Sequence, residues 1–339
     1  MTRSRKPNRS TRSDVAKLAG VSTAVVSYVF NDGPKPVAAD TKQKVLKAAA
    51  KLNYQPNSMA KALRAGTSKL FGVIVPDFSN PFFANMNDSL EKEATKAGYS
   101  VLFMSSHLDG LTEQRCISRL LARDVDAVFG EFPQSGEVFQ SLDARGCPFI
   151  LFDYSRQAVG AKVVSSDFRQ ATQLATNHLL SHGYRHIAML LGHGADPSDP
   201  RVQAWSEVHH AHKLPVGPIV RSDFTREGAY KATLSLLDNA TDETGSGVRP
   251  EAIFACSDLE AIGALRALHE RGIRVPEDMG LISFDGTKEC LYTYPQLSSL
   301  RQDTKSIAKL AVKTALNPDA APDVQLVPVQ LDLRRSCGH

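Results

Sequence analysis

Between residues 13 and 31 apolar positions recur at helical spacing on two short segments separated by a single glycine. In the first, Val15, Leu18 and Ala19 share a face; in the second, Val26, Val29 and Phe30 do. Gly20 falls where the chain needs a sharp turn that a side chain would obstruct. Ser22 is placed to cap the second helix by accepting from its free amides. Thr23, Ala24, Ser27, Tyr28 and Asn31 are left on the outer face. Two amphipathic helices joined in this way predict a helix-turn-helix, whose second helix enters the DNA major groove. Any helical hairpin shares the turn and the stripes, so the surrounding sequence carries the distinction.

Residues 32–38 read as a loop interrupted by two prolines. A third helix is expected from about Asp40 to Leu52, with Val45, Leu46, Ala49 and Leu52 facing inward. Pro56 and Asn57 are helix-start signals and Gly66 a stop, which leaves about two helical turns between them. A helix that short is largely unfolded alone. It becomes ordered if it pairs with its twin from a second subunit on DNA.

From Leu70 the texture changes: short apolar runs alternate with longer helical patterns. Strands are expected at Leu70–Val75, Tyr99–Met104, Ala127–Phe129, Phe149–Phe152, His186–Leu191, Ala252–Ala255 and Met279–Phe284. Helices are expected at about Pro81–Ala97, Thr112–Ala122, Gly136–Arg145, Phe168–His182, Arg201–His210, Arg226–Leu237, Asp258–Arg271 and Thr304–Leu316. Such alternation implies parallel sheets covered on both faces. The strands are too many for one sheet, so two lobes are expected. Ligands in these folds bind beyond the carboxyl ends of the strands, here in the cleft between the lobes.

Charge sharpens this division. Residues 1–69 hold 14 Lys or Arg against three acids, a surplus of eleven positive charges, whereas the rest holds 26 against 33, a net of −7. A small basic head on an acidic body points to a polyanionic partner for the head alone. No apolar run approaches the ~20 residues of a membrane span, and no apolar stretch follows the basic N-terminus as a secretory signal requires. The expected location is the cytoplasm, with no membrane partner. The five scattered cysteines include no Cys-x-x-Cys and read as free thiols of a reducing compartment.

Several stretches carry a family resemblance along nearly the whole chain. They are Asp14-Val-Ala-Lys-Leu-Ala-Gly-Val-Ser22, Val26-Ser27, Val29 and Asn31, Asn53-Tyr54-Gln-Pro56-Asn57, and Ala60 to Leu63. Further on come Gly72-Val-Ile-Val-Pro-Asp77-Phe-Ser-Asn-Pro-Phe-Phe83, Arg201 with Trp205, Ser257-Asp258 and Phe284-Asp285. In these the sequence resembles the LacI-type (lactose repressor family) transcriptional regulators. The resemblance implies a small all-α helix-turn-helix head (residues 1–55), a hinge helix (56–68) and an α/β two-lobed, periplasmic-binding-protein-like domain with parallel sheets (69–339). It implies a homodimer on a pseudo-palindromic double-stranded operator, controlled by a small-molecule effector such as a sugar or a nucleobase-like metabolite. No cofactor, metal or catalytic residue is implied.

By position, the resemblance brings Thr23, Ala24 and Tyr28 to base edges and Ser22, Ser27 and Asn31 to phosphates. The family often has arginine where this chain has Tyr28, so a bidentate contact to guanine is missing there. Ala38 replaces the serine that usually caps the third helix, a loss of ~1 kcal/mol. In the hinge, Asn57 starts the helix, Leu63 matches the leucine wedged into the minor groove, and Arg64 stands where some relatives place a basic contact. The resemblance assigns effector contacts to Asp77, Asn80, Phe82, Asp153, Arg201, Phe224, Ser257 and Asp285.

Two rival readings arise from the residues. A Rossmann-type enzyme would use Gly192-His-Gly194-Ala-Asp-Pro as its phosphate loop, but the third glycine is missing and proline follows. Asp153 and Asp285 could serve as acid and base, yet no Gly-x-Ser-x-Gly nucleophile motif accompanies them. His209, His210 and His212 lack matching ligand spacing and read as a solvated helix end. The second rival is a DNA-binding regulator without small-molecule control. It would share the head but lose the cleft, against which Arg201 and Asp285 argue.

Overall fold

A computed structural model describes residues 10–31, 36–55, 66–131, 142, 144–154, 160–192, 196–239 and 249–338. The expected hinge helix, with Asn57, Leu63 and Arg64, and most of the helix expected at 136–145 lie outside the described residues, as does the Asn31 side chain. The chain forms two compact units, residues 1–68 and 69–339.

The first unit contains α1 (Arg12–Ala19), α2 (Thr23–Asn31) and α3 (Ala39–Lys51). Thr11 opens α1 with a reciprocal cap: its hydroxyl accepts from Asp14 N, and the Asp14 carboxylate accepts from Thr11 N at 2.8 Å. Gly20 closes the helix with φ +67°, a left-handed conformation that glycine adopts without strain. Ser22 Oγ accepts from Val25 N at 3.3 Å. The core is Val15, Ala16, Val26, Val45, Ala48 and Ala49, closed by partly buried neighbours including Val29, Phe30, Leu52 and Tyr54.

Two expected inward residues are not inward. Leu18 is 46 % and Leu46 44 % exposed. Helix α1 packs against both α2 and α3, so its buried arc centres on Val15 and Ala16 and leaves Leu18 outside. On α3 the buried stripe is Val45, Ala48 and Ala49, and Leu46 projects ~100° from Val45 around the helix.

The second unit has twelve strands among its described residues: β1 (Leu70–Val75), β2 (Ser100–Ser105), β3 (Ala127–Gly130), β4 (Phe149–Leu151), β5 (Lys162–Ser166), β6 (Ile187–Leu191), β7 (Ile219–Arg221), β8 (Ala252–Ala255), β9 (Gly280–Asp285), β10 (Ser298–Arg301), β11 (Val324–Val327) and β12 (Gln330–Asp332). They form two six-stranded sheets, in the orders β11-β5-β4-β3-β1-β2 and β12-β10-β9-β8-β6-β7. The first is wholly parallel. The second is parallel except for the β10–β12 edge.

Helices α4 (Pro81–Lys96), α5 (Gly110–Leu121) and α10 (Thr304–Leu316) belong to the first lobe. Helices α6 (Phe168–Ser181), α7 (Pro200–Ala211), α8 (Arg226–Asn239) and α9 (Asp258–Glu270) belong to the second. Each sheet is buried on both faces, as parallel sheets require. The chain passes between lobes three times, after β5, after β10 and after β11. These crossings are joined laterally: Asp167 N donates to Val327 O at 2.9 Å and Ser166 Oγ to Gln302 Oε1 at 2.6 Å.

The histidine segment departs from expectation. His209 is fully buried, its ring 4.4 Å from that of Trp205 and its Nδ1 2.8 Å from Trp205 O. Burial holds its pKa below the usual value. His210 and His212 are exposed. The 3.6-residue period turns His209 inward beside Trp205 while its neighbours face water.

Candidate functional site

In the first unit, Ser22, Thr23 and Ala24 are exposed at the start of α2, while Ser27 and Tyr28 are half-buried. The amino-terminal end of a recognition helix is the part that reaches base edges, and this one presents small side chains there. Helix α3 adds Lys44, Lys47 and Lys51 along one face, next to Lys17 of α1.

The second unit holds a cleft between its lobes with about 660 Å³ of empty space, part of it open to solvent. All eight residues expected there line it: Asp77, Asn80, Phe82, Asp153, Arg201, Phe224, Ser257 and Asp285. Local backbone chemistry explains their placement. Asp77 lies just past β1, where its carboxylate accepts from Ser79 N (2.8 Å) and Ser79 Oγ (2.5 Å). Asn80 caps α4, its Oδ1 accepting from Phe82 N at 2.9 Å, which turns Phe82 to the cavity wall. Ser257 caps α9 by accepting from Glu260 N at 3.1 Å.

Arg201 sits in the first turn of α7, opposite Asp199, the cap of that helix. Nε and Nη2 donate to Asp199 at 3.0 and 2.7 Å, and the guanidinium lies 4.8 Å from the Phe168 ring centroid. Burial opposes the charge. The Asp199 hydrogen bonds and the negative charges of Asp153 and Asp199 outweigh it, so the guanidinium stays protonated.

Asp285 ends β9 with φ +118°, a strained conformation of the kind that collects at functional sites. It accepts from Gln302 Nε2 at 2.8 Å and Asp258 N at 3.3 Å. Burial, reinforced by the Asp258 carboxylate, pushes its own carboxyl well above the usual range. Phe224 also has positive φ, +55°. Its ring lies against Gly192, where an added Cβ would come within 2.0 Å of it, so only glycine leaves room for the aromatic wall.

The cavity also has lining residues that the sequence did not single out for it, among them Phe168, Phe284, Glu131, Asp223, Cys256 and Gln302. Gln302 sits at the second crossing, a position visible only once β10 is recognised as a strand. Burial holds the Cys256 thiol well above its usual value, which disfavours the thiolate. Among the described residues no cluster of His, Cys, Asp and Glu has the arrangement of a metal site. No described helix is long and apolar enough to cross a membrane.

Comparison with known proteins places both units. Residues 11–57 match the model for bacterial regulatory proteins of the lacI family, and residues 176–337 a periplasmic binding protein-like domain. The ribose operon repressor of Haemophilus influenzae is 30 % identical over 91 % of this chain and 91 % of its own length. The transcriptional repressor PurR of Aliivibrio fischeri strain MJ11 is 31 % identical over 91 % of each. The lac repressor dimer, solved with operator and the anti-inducer ONPF, superposes with a TM-score of 0.84 at 26 % identity, over 98 % of this chain and 99 % of that one. With the head, the two-lobed body and full-length relatives all in agreement, the chain belongs to the lacI family of bacterial regulatory proteins.

Proposed function

We propose that this chain is a dimeric, operator-binding transcriptional repressor of the cytoplasm whose DNA affinity is set by a polyhydroxylated small molecule of sugar size held between its lobes. The observation that carries the reading is the composition of the interlobe cavity. Phe82, Phe168 and Phe224 supply apolar walls; Arg201, Asp153, Asp285 and Gln302 supply directional donors and acceptors. A sugar has an apolar ring face and a rim of hydroxyls, and this set matches both. The same groups explain the carboxylates without catalysis.

In the head, Thr23, Ala24 and Tyr28 approach bases, while Ser22, Ser27 and Asn31 hold phosphates. Asn57, Leu63 and Arg64 belong to the hinge, with Leu63 as the minor-groove wedge. A two-fold protein requires two-fold related half-sites. The three interlobe crossings act as the hinge of the body, and ligand closure changes how the paired heads are seated.

Fluorescence anisotropy on an operator fragment tests this, with a panel of aldoses, nucleosides and phosphosugars added. Release or tightening by one class supports the reading. Unchanged binding with every class favours the regulator without small-molecule control, and protection of random sequence with no preferred two-fold site rejects operator recognition.

A further inference from the structure

Glu131 follows β3 at the carboxyl edge of the first sheet, its amide donating to Ile74 O at 3.4 Å. Glu131 lines the cavity, yet its Oε2 is buried with no hydrogen-bond partner among the described residues. The carboxylates around it are differently served. Asp77 takes the amide and hydroxyl of Ser79, Asp223 those of Thr225, and Asp285 the Gln302 amide and Asp258 N. A buried acceptor left unpaired costs about 1–3 kcal/mol, so the position is built for a donor that arrives from outside.

The charge of that donor follows from the lining. Asp77, Glu131, Asp153, Asp223 and Asp285 face the cavity against one guanidinium, Arg201, among the described lining residues. Arg201 pairs with Asp199, outside that set, at 2.7 Å, and its charge also meets that of Asp153. Among the described lining residues a phosphate or carboxylate on the ligand therefore meets more carboxyl groups than cations. A neutral ligand leaves that imbalance as it is, and a cation offsets it by favouring the carboxylate forms. Burial drives the Glu131 carboxyl well above the usual range, and the nearby Asp153 charge adds to this against the opposing pull of Arg201. An ammonium group beside Glu131 opposes both raising effects by stabilising the carboxylate.

We infer that Glu131 and Asp153 form a subsite for a positively charged amino group, so that the effector is a polyhydroxylated amine such as an amino sugar and not a phosphosugar. This rests on the reading of the cleft as a site for a sugar-sized polyhydroxylated ligand.

Isothermal titration of the full-length protein near neutral pH tests it. The ligands are neutral aldoses, their amino-deoxy counterparts with ammonium at each ring position in turn, and their phosphate esters. With wild type, at least one amino derivative is expected to bind about tenfold or more tightly than its neutral parent, and the phosphate esters about tenfold more weakly. In Glu131→Gln the amine's advantage is expected to shrink to less than about threefold. A neutral parent that equals or beats every amino derivative on wild type overturns the subsite and leaves the sugar reading standing; this arm needs no variant. An advantage that persists in E131Q also overturns it. Failure of neutral, amino and phosphate ligands alike to bind at about 10 mM overturns the sugar reading together with the subsite.

Discussion

Gln302 joins the carboxyl of Asp285 to the end of β5: Nε2 donates to Asp285 Oδ1 at 2.8 Å, and Oε1 accepts from Ser166 Oγ at 2.6 Å. Asp285 belongs to the second lobe, Ser166 to the first, and Gln302 to the segment after β10 that passes between them. One amide thus connects a cavity carboxyl with two of the three crossings. Gln302→Leu removes both bonds and leaves Asp285 with one amide donor. Leaving such a buried group short of a partner costs about 1–3 kcal/mol, so effector affinity is expected to fall about tenfold. Titration calorimetry of the variant measures it, and an unchanged affinity removes Gln302 from the site.

Arg201→Ala is expected to abolish the effector response while operator binding survives. The side chains of Arg201 and Asp199 are only 11 % and 9 % exposed. Breaking such a pair leaves a buried carboxylate uncompensated, at a cost of about 3 kcal/mol to the body. Anisotropy with and without ligand, beside a melting curve, separates the two effects. A variant that still responds normally removes Arg201 from recognition.

Helix α3 begins at Ala38, which makes no side-chain capping bond, although Asp40 places an acid in the first turn. Ala38→Ser supplies the missing acceptor and is expected to stabilise the head by about 1 kcal/mol. Amide hydrogen exchange on the full chain reads this as roughly fivefold slower exchange in α3. Equal rates show that the cap is not the limiting defect.

Glu260 lies wholly buried behind the cleft, where Ser257 Oγ donates to it at 3.2 Å and Ser222 Oγ to its other oxygen. Burial pushes its carboxyl up to about 8 despite those hydroxyls. Between its ordinary value near 4.5 and about 8 the folded state keeps a proton that the unfolded chain has lost. Stability from this group therefore declines as pH rises through that window, by at most about 1.4 kcal/mol per unit. Glu260→Gln is expected to remove that slope. Urea melts near pH 5 and pH 8 compare the two proteins, and parallel pH profiles contradict the assignment.

Leu63→Ala is expected to weaken operator binding and reduce the bend in the duplex, because an apolar wedge kinks DNA by parting a base step. Gel mobility of circularly permuted operator fragments reports the angle. An unaltered bend rules out Leu63 as the wedge.

Much of the fold was legible because hydrophobicity is dense where it matters. Leu70–Val75 and Ala252–Ala255 are continuous apolar runs, and both strands occur at the expected bounds. Strands β5 and β10 escaped notice because they are rich in serine. Ser165, Ser166, Ser298 and Ser299 are buried at 1 % exposure or less, yet the same composition is common in loops. In the head, counting apolar residues at helical spacing overstated Leu18 and Leu46, since the period locates a stripe but not the direction of the neighbouring helix.

The cavity was half legible. Asn80, Phe82 and Asp285 fall in recognisable stretches next to strand ends, and Arg201 opens a helix whose Arg-to-Trp spacing is recognisable. Glu131 and Gln302 are single polar residues in no motif; only the three-dimensional path of β3 and of the second crossing brings them to the cavity.

The outer strands β11 and β12 have a consequence for synthesis. Each lobe borrows one strand from residues 324–332, so a nascent polypeptide leaves both lobes open-sided until that stretch clears the ribosome. Premature termination anywhere upstream damages the two halves together. Neither lobe can therefore be expressed as an uninterrupted fragment that contains all of its own strands and none of the other lobe's.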